Sequence, residues 1–221
     1  MRDRGSYQPE GASANASDYG VAFVRQAHAL LAVGYAALVP PDYSGAEEEH
    51  ITGSLVQAID AALDDPNAPL WMRWFSVHEE PRLHDTHRKG KRRRRLDIRI
   101  DCLEARPRKR LPFEAKRLGP DHGVSLYLGQ GGLGRFVNGR YAPRESLAGM
   151  LGYVQAGSPE DWADRIDKAM ARRAAELHTL ESSPWRKEWL VDELPHTYRS
   201  GHDRPSVGQA VEVYHTLLTF N

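Results

Sequence analysis

Apolar side chains between residues 19 and 38 (Val21, Phe23, Val24, Ala27, Leu30, Leu31, Tyr35, Leu38) recur at helical spacing over a wide face, and Pro40-Pro41 ends the run. The spacing predicts a helix over 19–38, with Asp18 as its cap, laid on a core. A second stripe, Ile51, Leu55, Ala58, Ile59 and Ala62, predicts a helix over 46–63, stopped before Asp64-Asp65-Pro66. The aromatic-rich stretch 70–77 reads as a strand. From Leu96 the period becomes two: Leu96, Ile98, Ile100 and Cys102 share one face, and Asp97, Arg99 and Asp101 share the other. After a short turn holding Pro107, a second strand over 110–118 sets Phe113 and Ala115 against Glu114 and Lys116. Their closeness in sequence predicts an antiparallel hairpin. Further on, the pattern predicts a strand over 124–128, a glycine-rich loop GQGGLG at 129–134 with no helix after it, and a helix over 144–155. A helix over 158–179 opens on Ser158-Pro159-Glu160-Asp161, which supplies a cap, a proline at the first position and acids in the first turn. Short strands are expected over 189–191, 197–199 and 211–220. Residues 1–17, rich in Gly, Ser, Asn and charge, read as a flexible tail ahead of one domain spanning 18–221.

Composition narrows the class. With 40% hydrophobic and 27% charged residues, the chain is neither collagen-like, nor a long coiled coil, nor wholly disordered. One cysteine, Cys102, excludes a disulfide framework and a Cys-rich zinc site. MRDRGSYQPEG carries no apolar stretch of the signal-peptide kind, and Arg25, Gln26 and His28 interrupt the most apolar window. A cytoplasmic protein without membrane contact is the expectation. Net charge is zero, yet residues 88–117 carry 14 basic and 4 acidic side chains, and the remainder is acidic by the same margin. A concentrated basic zone on an acidic chain points to a local contact with phosphate.

Chemistry concentrates in that zone. Asp97 lies on the first strand of the hairpin; Glu114 and Lys116, two apart, share a face of the second. Two carboxylates converging across a hairpin suit a hard divalent cation, Mg²⁺ or Mn²⁺, and the backbone carbonyl of Ala115 is a third oxygen within reach. A cation there polarises a phosphodiester and acidifies a bound water. Lys116 is placed to orient or deprotonate that water and to offset charge at phosphorus. Asp101, on the face of Asp97, is the alternative carboxylate.

The pattern D-(16 residues)-E-x-K on two hydrophobic strands resembles the PD-(D/E)xK, restriction-endonuclease-like nucleases. Leu96 stands where that pattern has proline, and no QxxxY motif follows Lys116. The resemblance covers about residues 46–192. It implies an α/β fold with an αβββαβ core, a central mixed sheet flanked by helices, to which an N-terminal helix and C-terminal strands are added. It also implies an acidic residue on the preceding helix, matched by Glu48, with Glu49 as alternative, helping to hold the metal or its water. The implied activity is metal-dependent endonucleolytic hydrolysis, of DNA ahead of RNA, in a setting such as bacterial antiphage defence. The implied partners are nucleic acid and either a second copy of the chain or another subunit of a defence complex. A non-catalytic nucleic-acid-binding module or a partner-activated effector on the same fold is the competing reading.

Other candidates follow from charge. Lys91, Arg92, Arg93, Arg94 and Arg95 lead directly into the hairpin and, with Arg117, are expected on backbone phosphates. Arg135 and Arg140 beside the glycine loop, and His202 with Arg204, are candidates for the same groove. His84 and His87 have metal-like spacing but sit in a polar stretch. GQGGLG formally fits a dinucleotide-binding fingerprint but lacks the helix such a site needs.

Overall fold

The computed structural model describes residues 12–81, 95–104 and 107–221. Helix α1 (Ala12–Ala36) and helix α2 (Glu48–Asp64) are joined through a 3₁₀ turn at Pro40–Tyr43. α1 starts earlier than its apolar stripe suggests, so Asp18 lies within it instead of capping it. Ala12, Ala14 and Ala16 favour helix by intrinsic propensity. Residues 1–11 of the expected tail lie outside the described residues.

A second 3₁₀ turn (Leu70–Trp74) occupies most of the stretch read as a strand, and β1 runs over Phe75–Glu79. The hairpin follows as expected: β2 (Ile98–Cys102) pairs antiparallel with β1 and with β3 (Lys109–Leu118). Beyond β3 the pattern misleads twice. Residues Val124–Leu128 form a short helix, α3, and Leu147–Val154 form a strand, β4. Both follow from one fact. β4 lies parallel to β3, and a parallel pair needs a crossover that leaves the sheet and returns. α3 and the single-turn α4 (Gly134–Val137) belong to that crossover, so the segment after the glycine loop is helical after all. β4 is covered on both faces, and a doubly buried strand reads as a continuous apolar run without alternation.

α5 (Pro159–Arg172) begins at the expected cap, with Ser158 Oγ accepting from Asp161 N–H at 3.1 Å, and ends earlier than 179. The chain closes with β5 (Arg186–Lys187), β6 (Thr197–His202) and β7 (Val211–Thr219); residues 189–191 are not a strand. The seven strands form one mixed sheet in the order β1-β2-β3-β4-β7-β6-β5, parallel where β4 meets β3 and β7 and antiparallel elsewhere.

Alternate residues of the central strands feed two cores. Leu151 and Tyr153 of β4 join Ile98, Ile100, Phe113 and Ala115 under α1 and α2. Ala148, Met150 and Val154 join Leu118, Leu217, Trp162 and Ile166 on the side of α3 and α5. The fold is α/β, a seven-stranded mixed sheet flanked by helices. Among the described residues no helix is long and apolar enough to cross a membrane.

Candidate active site

The site begins where a ladder stops. β2 meets β3 only up to the pair Ile98 with Phe113, whereas β3 continues along β4 to Leu118. The outer edge of β3 beyond Phe113 therefore lacks a strand partner in β2, and its polar backbone groups need others. Two carboxylates serve. Asp97 Oδ2 accepts the Ala115 N–H at 2.7 Å, and Glu48 Oε2, from the first turn of α2, accepts the Arg117 N–H at 3.3 Å. The carboxylates are thus fixed to the backbone of the strand that carries Glu114 and Lys116.

Lys116 joins them. Its Nζ donates to Glu48 Oε1 at 2.7 Å and to the Ala115 carbonyl, and lies 3.2 Å from Glu114 Oε1. One cation stands among three oxygens from two elements. Glu114 is 1% exposed; its Oε1 also takes a hydrogen bond from Arg135 Nη1 at 3.1 Å, and its Oε2 is buried with no hydrogen-bond partner among the described residues. Burial, reinforced by the Asp97 carboxylate, pushes the Glu114 carboxyl up to about 8 against the pull of Lys116 and Arg135. Burial also raises Asp97, opposed by the Ala115 N–H and the Lys116 charge. For Lys116 burial acts downward, and the carboxylates of Glu114, Glu48 and Asp97 outweigh it, so the ammonium is held above its ordinary range.

This donor set fits a hard cation. The unpartnered Glu114 Oε2 is a buried acceptor in want of positive charge, and the Lys116 ammonium marks where further oxygens converge. Among the described residues no group of three His, Cys, Asp or Glu side chains has metal-holding spacing. A cation here would draw on Asp97, Glu114, the Ala115 carbonyl and oxygens from outside the chain, with Glu48 reaching the cation or its water. Such a mixed set is what Mg²⁺ takes, because it keeps waters and substrate oxygens in its shell.

The alternatives separate clearly. Asp101 is buried at the far end of β2, where it binds Arg99 at 2.7 and 3.1 Å and faces His78 at 3.6 Å. Four residues of strand put it about 13 Å along β2 from Asp97. Glu49 is exposed, whereas Glu48 touches Lys116.

The basic candidates sort by how their donors are used. Arg135 enters the site itself. Arg117 is held by the Ala46 carbonyl, by Glu47 at 2.7 Å and by His122 at 3.0 Å. Arg95 pairs with Glu80. Lys91, Arg92, Arg93, Arg94, His84 and His87 lie outside the described residues. His202 and Arg204 do not belong to the groove. Both are fully buried: Arg204 donates to the carbonyls of Ala142, Glu145, Gln209 and Ala210, and His202 to that of Leu177. Their donors satisfy backbone carbonyls and none faces solvent.

An open cleft of about 360 Å³ adjoins the site, walled by Glu48, Lys116, Arg117 and His122 and by the glycine turn at 129–131. That turn is as tight as its glycines permit: a Cβ on Gly132 would lie 2.1 Å from the Tyr127 carbonyl oxygen. Sequence reasoning missed Tyr141, whose hydroxyl meets Arg135, and the buried hydroxyl pair Thr52–Tyr153 at 2.9 Å beneath Glu48. Thr52 had a signal, since four residues after Glu48 it shares that helix face; Tyr141 had none. No family model, no curated protein and no solved structure matches the chain.

Proposed function

We propose that this chain is a metal-dependent nuclease that hydrolyses phosphodiester bonds, DNA ahead of RNA, with a site of the PD-(D/E)xK kind. The observation that carries the reading is the convergence of Asp97, Glu114, Lys116 and Glu48 at the open edge of β3. The element order supports it. Helix α2, strands β1 to β3, the short helices α3 and α4 and strand β4 follow the αβββαβ order of restriction-endonuclease-like cores. The basic zone opening the hairpin supports a polyanionic substrate.

Asp97, Glu114 and the Ala115 carbonyl are the residues to hold Mg²⁺ or Mn²⁺, with Glu48 beside them. The bound cation supplies a Lewis acid for the phosphodiester and lowers the pKa of a coordinated water. Lys116 orients the attacking water and offsets negative charge as it builds at phosphorus. Water adds to phosphorus as one bond to a sugar oxygen breaks. The water's proton passes to solvent, and the departing oxygen takes one from solvent, leaving a phosphomonoester and a hydroxyl terminus. The basic segment 88–95 receives the flanking phosphates, whereas Arg117 is engaged by Ala46, Glu47 and His122.

Glu114→Ala and Lys116→Ala test the assignment. Each is expected to slow cleavage by about 100-fold or more, with far-ultraviolet circular dichroism unchanged. Cutting at the wild-type rate by either folded variant in saturating Mg²⁺ refutes the site.

A further inference from the structure

We propose that Arg135 is a catalytic residue whose guanidinium, aimed by Tyr141, clamps the non-bridging oxygens of the phosphodiester being cut. The proposal rests on the nuclease reading above and adds a second cation to its site.

Location comes first. Glu114 Oε1 lies 3.2 Å from Lys116 Nζ and 3.1 Å from Arg135 Nη1, so two cations meet at one carboxylate oxygen. They come from different parts of the fold, Lys116 from β3 and Arg135 from α4, which follows the glycine turn.

The side chain is also aimed. Arg135 Nη1 donates to the Tyr141 hydroxyl, and its guanidinium carbon lies 4.9 Å from the centroid of the Tyr141 ring. The backbone closes the same loop, with Tyr141 N–H donating to the Arg135 carbonyl at 2.8 Å. Tyr141 is itself buried and packs edge-on against Phe136. An arginine serving only to neutralise Glu114 needs no such platform.

The donors that remain are decisive. Arg204 spends its guanidinium on backbone carbonyls, and Arg117 spends its own on Ala46, Glu47 and His122. Arg135 Nε and Nη2 have no hydrogen-bond partner among the described residues, and its side chain is 36% exposed. A guanidinium with one corner anchored and the Nε/Nη2 fork open matches two oxygens of one phosphate. Both non-bridging oxygens gain charge as water adds to phosphorus, so donors fixed there act more strongly in the transition state than in the bound substrate.

The test compares single-turnover cutting of supercoiled plasmid in Mg²⁺ by wild type, Arg135→Ala, Arg135→Lys and Tyr141→Phe. Plasmid binding is measured in parallel in Ca²⁺. Arg135→Ala is expected to cut about 100-fold or more slowly while binding plasmid in Ca²⁺ nearly as wild type does. Added guanidinium chloride is expected to restore part of that rate, and equal sodium chloride none. Tyr141→Phe should fall between. Arg135→Lys keeps a charge beside Glu114 but lacks the fork, so it is expected to stay slow, and it carries the test if the alanine variant does not fold. Wild-type rates in either Arg135 variant overturn the clamp. So does a slow rate with an equal loss of binding and no guanidinium rescue. If wild type itself cuts no plasmid with Mg²⁺ or Mn²⁺, the nuclease reading fails first and the clamp falls with it.

Discussion

Glu114 sets the electrostatics of the site. Its carboxyl, ordinarily near 4.5, is pushed up to about 8 chiefly by burial. Between those two values the folded chain keeps a proton that the unfolded chain has released, so stability falls as pH rises through that window. In EDTA, above the range where the buried histidines titrate on unfolding, the melting temperature is expected to drop from about pH 7 toward pH 8. Glu114→Gln, which cannot ionise, should flatten that dependence and melt higher than wild type at pH 8. An unchanged slope in the variant would place the titration elsewhere. A divalent cation must compete with the same proton. Calorimetric titration of Mg²⁺ or Mn²⁺ near pH 7, in buffers of different ionisation enthalpy, should therefore read release of about one proton. Heat that does not depend on the buffer would mean that Glu114 is not displaced from its proton. Carboxylates engaged in this way hold the Lys116 ammonium less strongly, so its raised pKa belongs to the site without metal.

At the scale of elements, the hairpin was legible because β2 and β3 have one polar face, and Asp97, Glu114 and Lys116 could be read from their alternation. Strand β4 was not, because neither of its faces meets water. Its packing against β3 is close: a Cβ on Gly149 would lie 2.1 Å from Phe113 Cδ1. Gly149→Ala should cost about 1–3 kcal/mol in urea unfolding, unless the Phe113 ring can move aside. His202 was misread for a related reason, since a polar residue inside a sheet looks like a surface residue until its partners are known. It belongs to a buried relay whose directions follow from one end. The Leu177 carbonyl only accepts, so His202 Nδ1 carries the proton and Nε2 accepts from Ser200. Ser200 in turn accepts from His215 Nε2, and His215 Nδ1 accepts from Tyr127. Both imidazoles are neutral, and burial lowers His202 to about 4 and His215 well below its ordinary value. Ser200→Ala leaves a donor and an acceptor unpaired and should cost roughly 1–3 kcal/mol. Because the unfolded histidines take protons near pH 6.5 and the folded ones do not, the relay's contribution should fade as pH drops from 6.5 toward 4. Stability that is flat over that range would contradict neutral histidines.

At the scale of the molecule, one sheet with helices on both faces brings together residues that are far apart in sequence. Glu48 and Lys116 meet across 68 positions and Arg135 and Glu114 across 21. The β3 edge, left open where β2 stops, gives the carboxylates a backbone to hold and a cleft to face. Zero net charge hides the division that matters: the basic excess lies within 88–117, the stretch of sequence that also carries Asp97, Glu114 and Lys116, and the rest of the chain is acidic. This division was visible in composition alone, whereas the parallel crossover that delivers Arg135 and Tyr141 had no local pattern to announce it. The most direct measurement is incubation of the purified protein with plasmid, linear duplex, single-stranded DNA and RNA, in Mg²⁺, Mn²⁺ or EDTA, beside Glu114→Ala. Cleavage of at least one substrate with metal, and none in EDTA or with Glu114→Ala, is the predicted result. Intact substrates in every wild-type lane, or cutting that persists in EDTA, would contradict a metal-dependent nuclease.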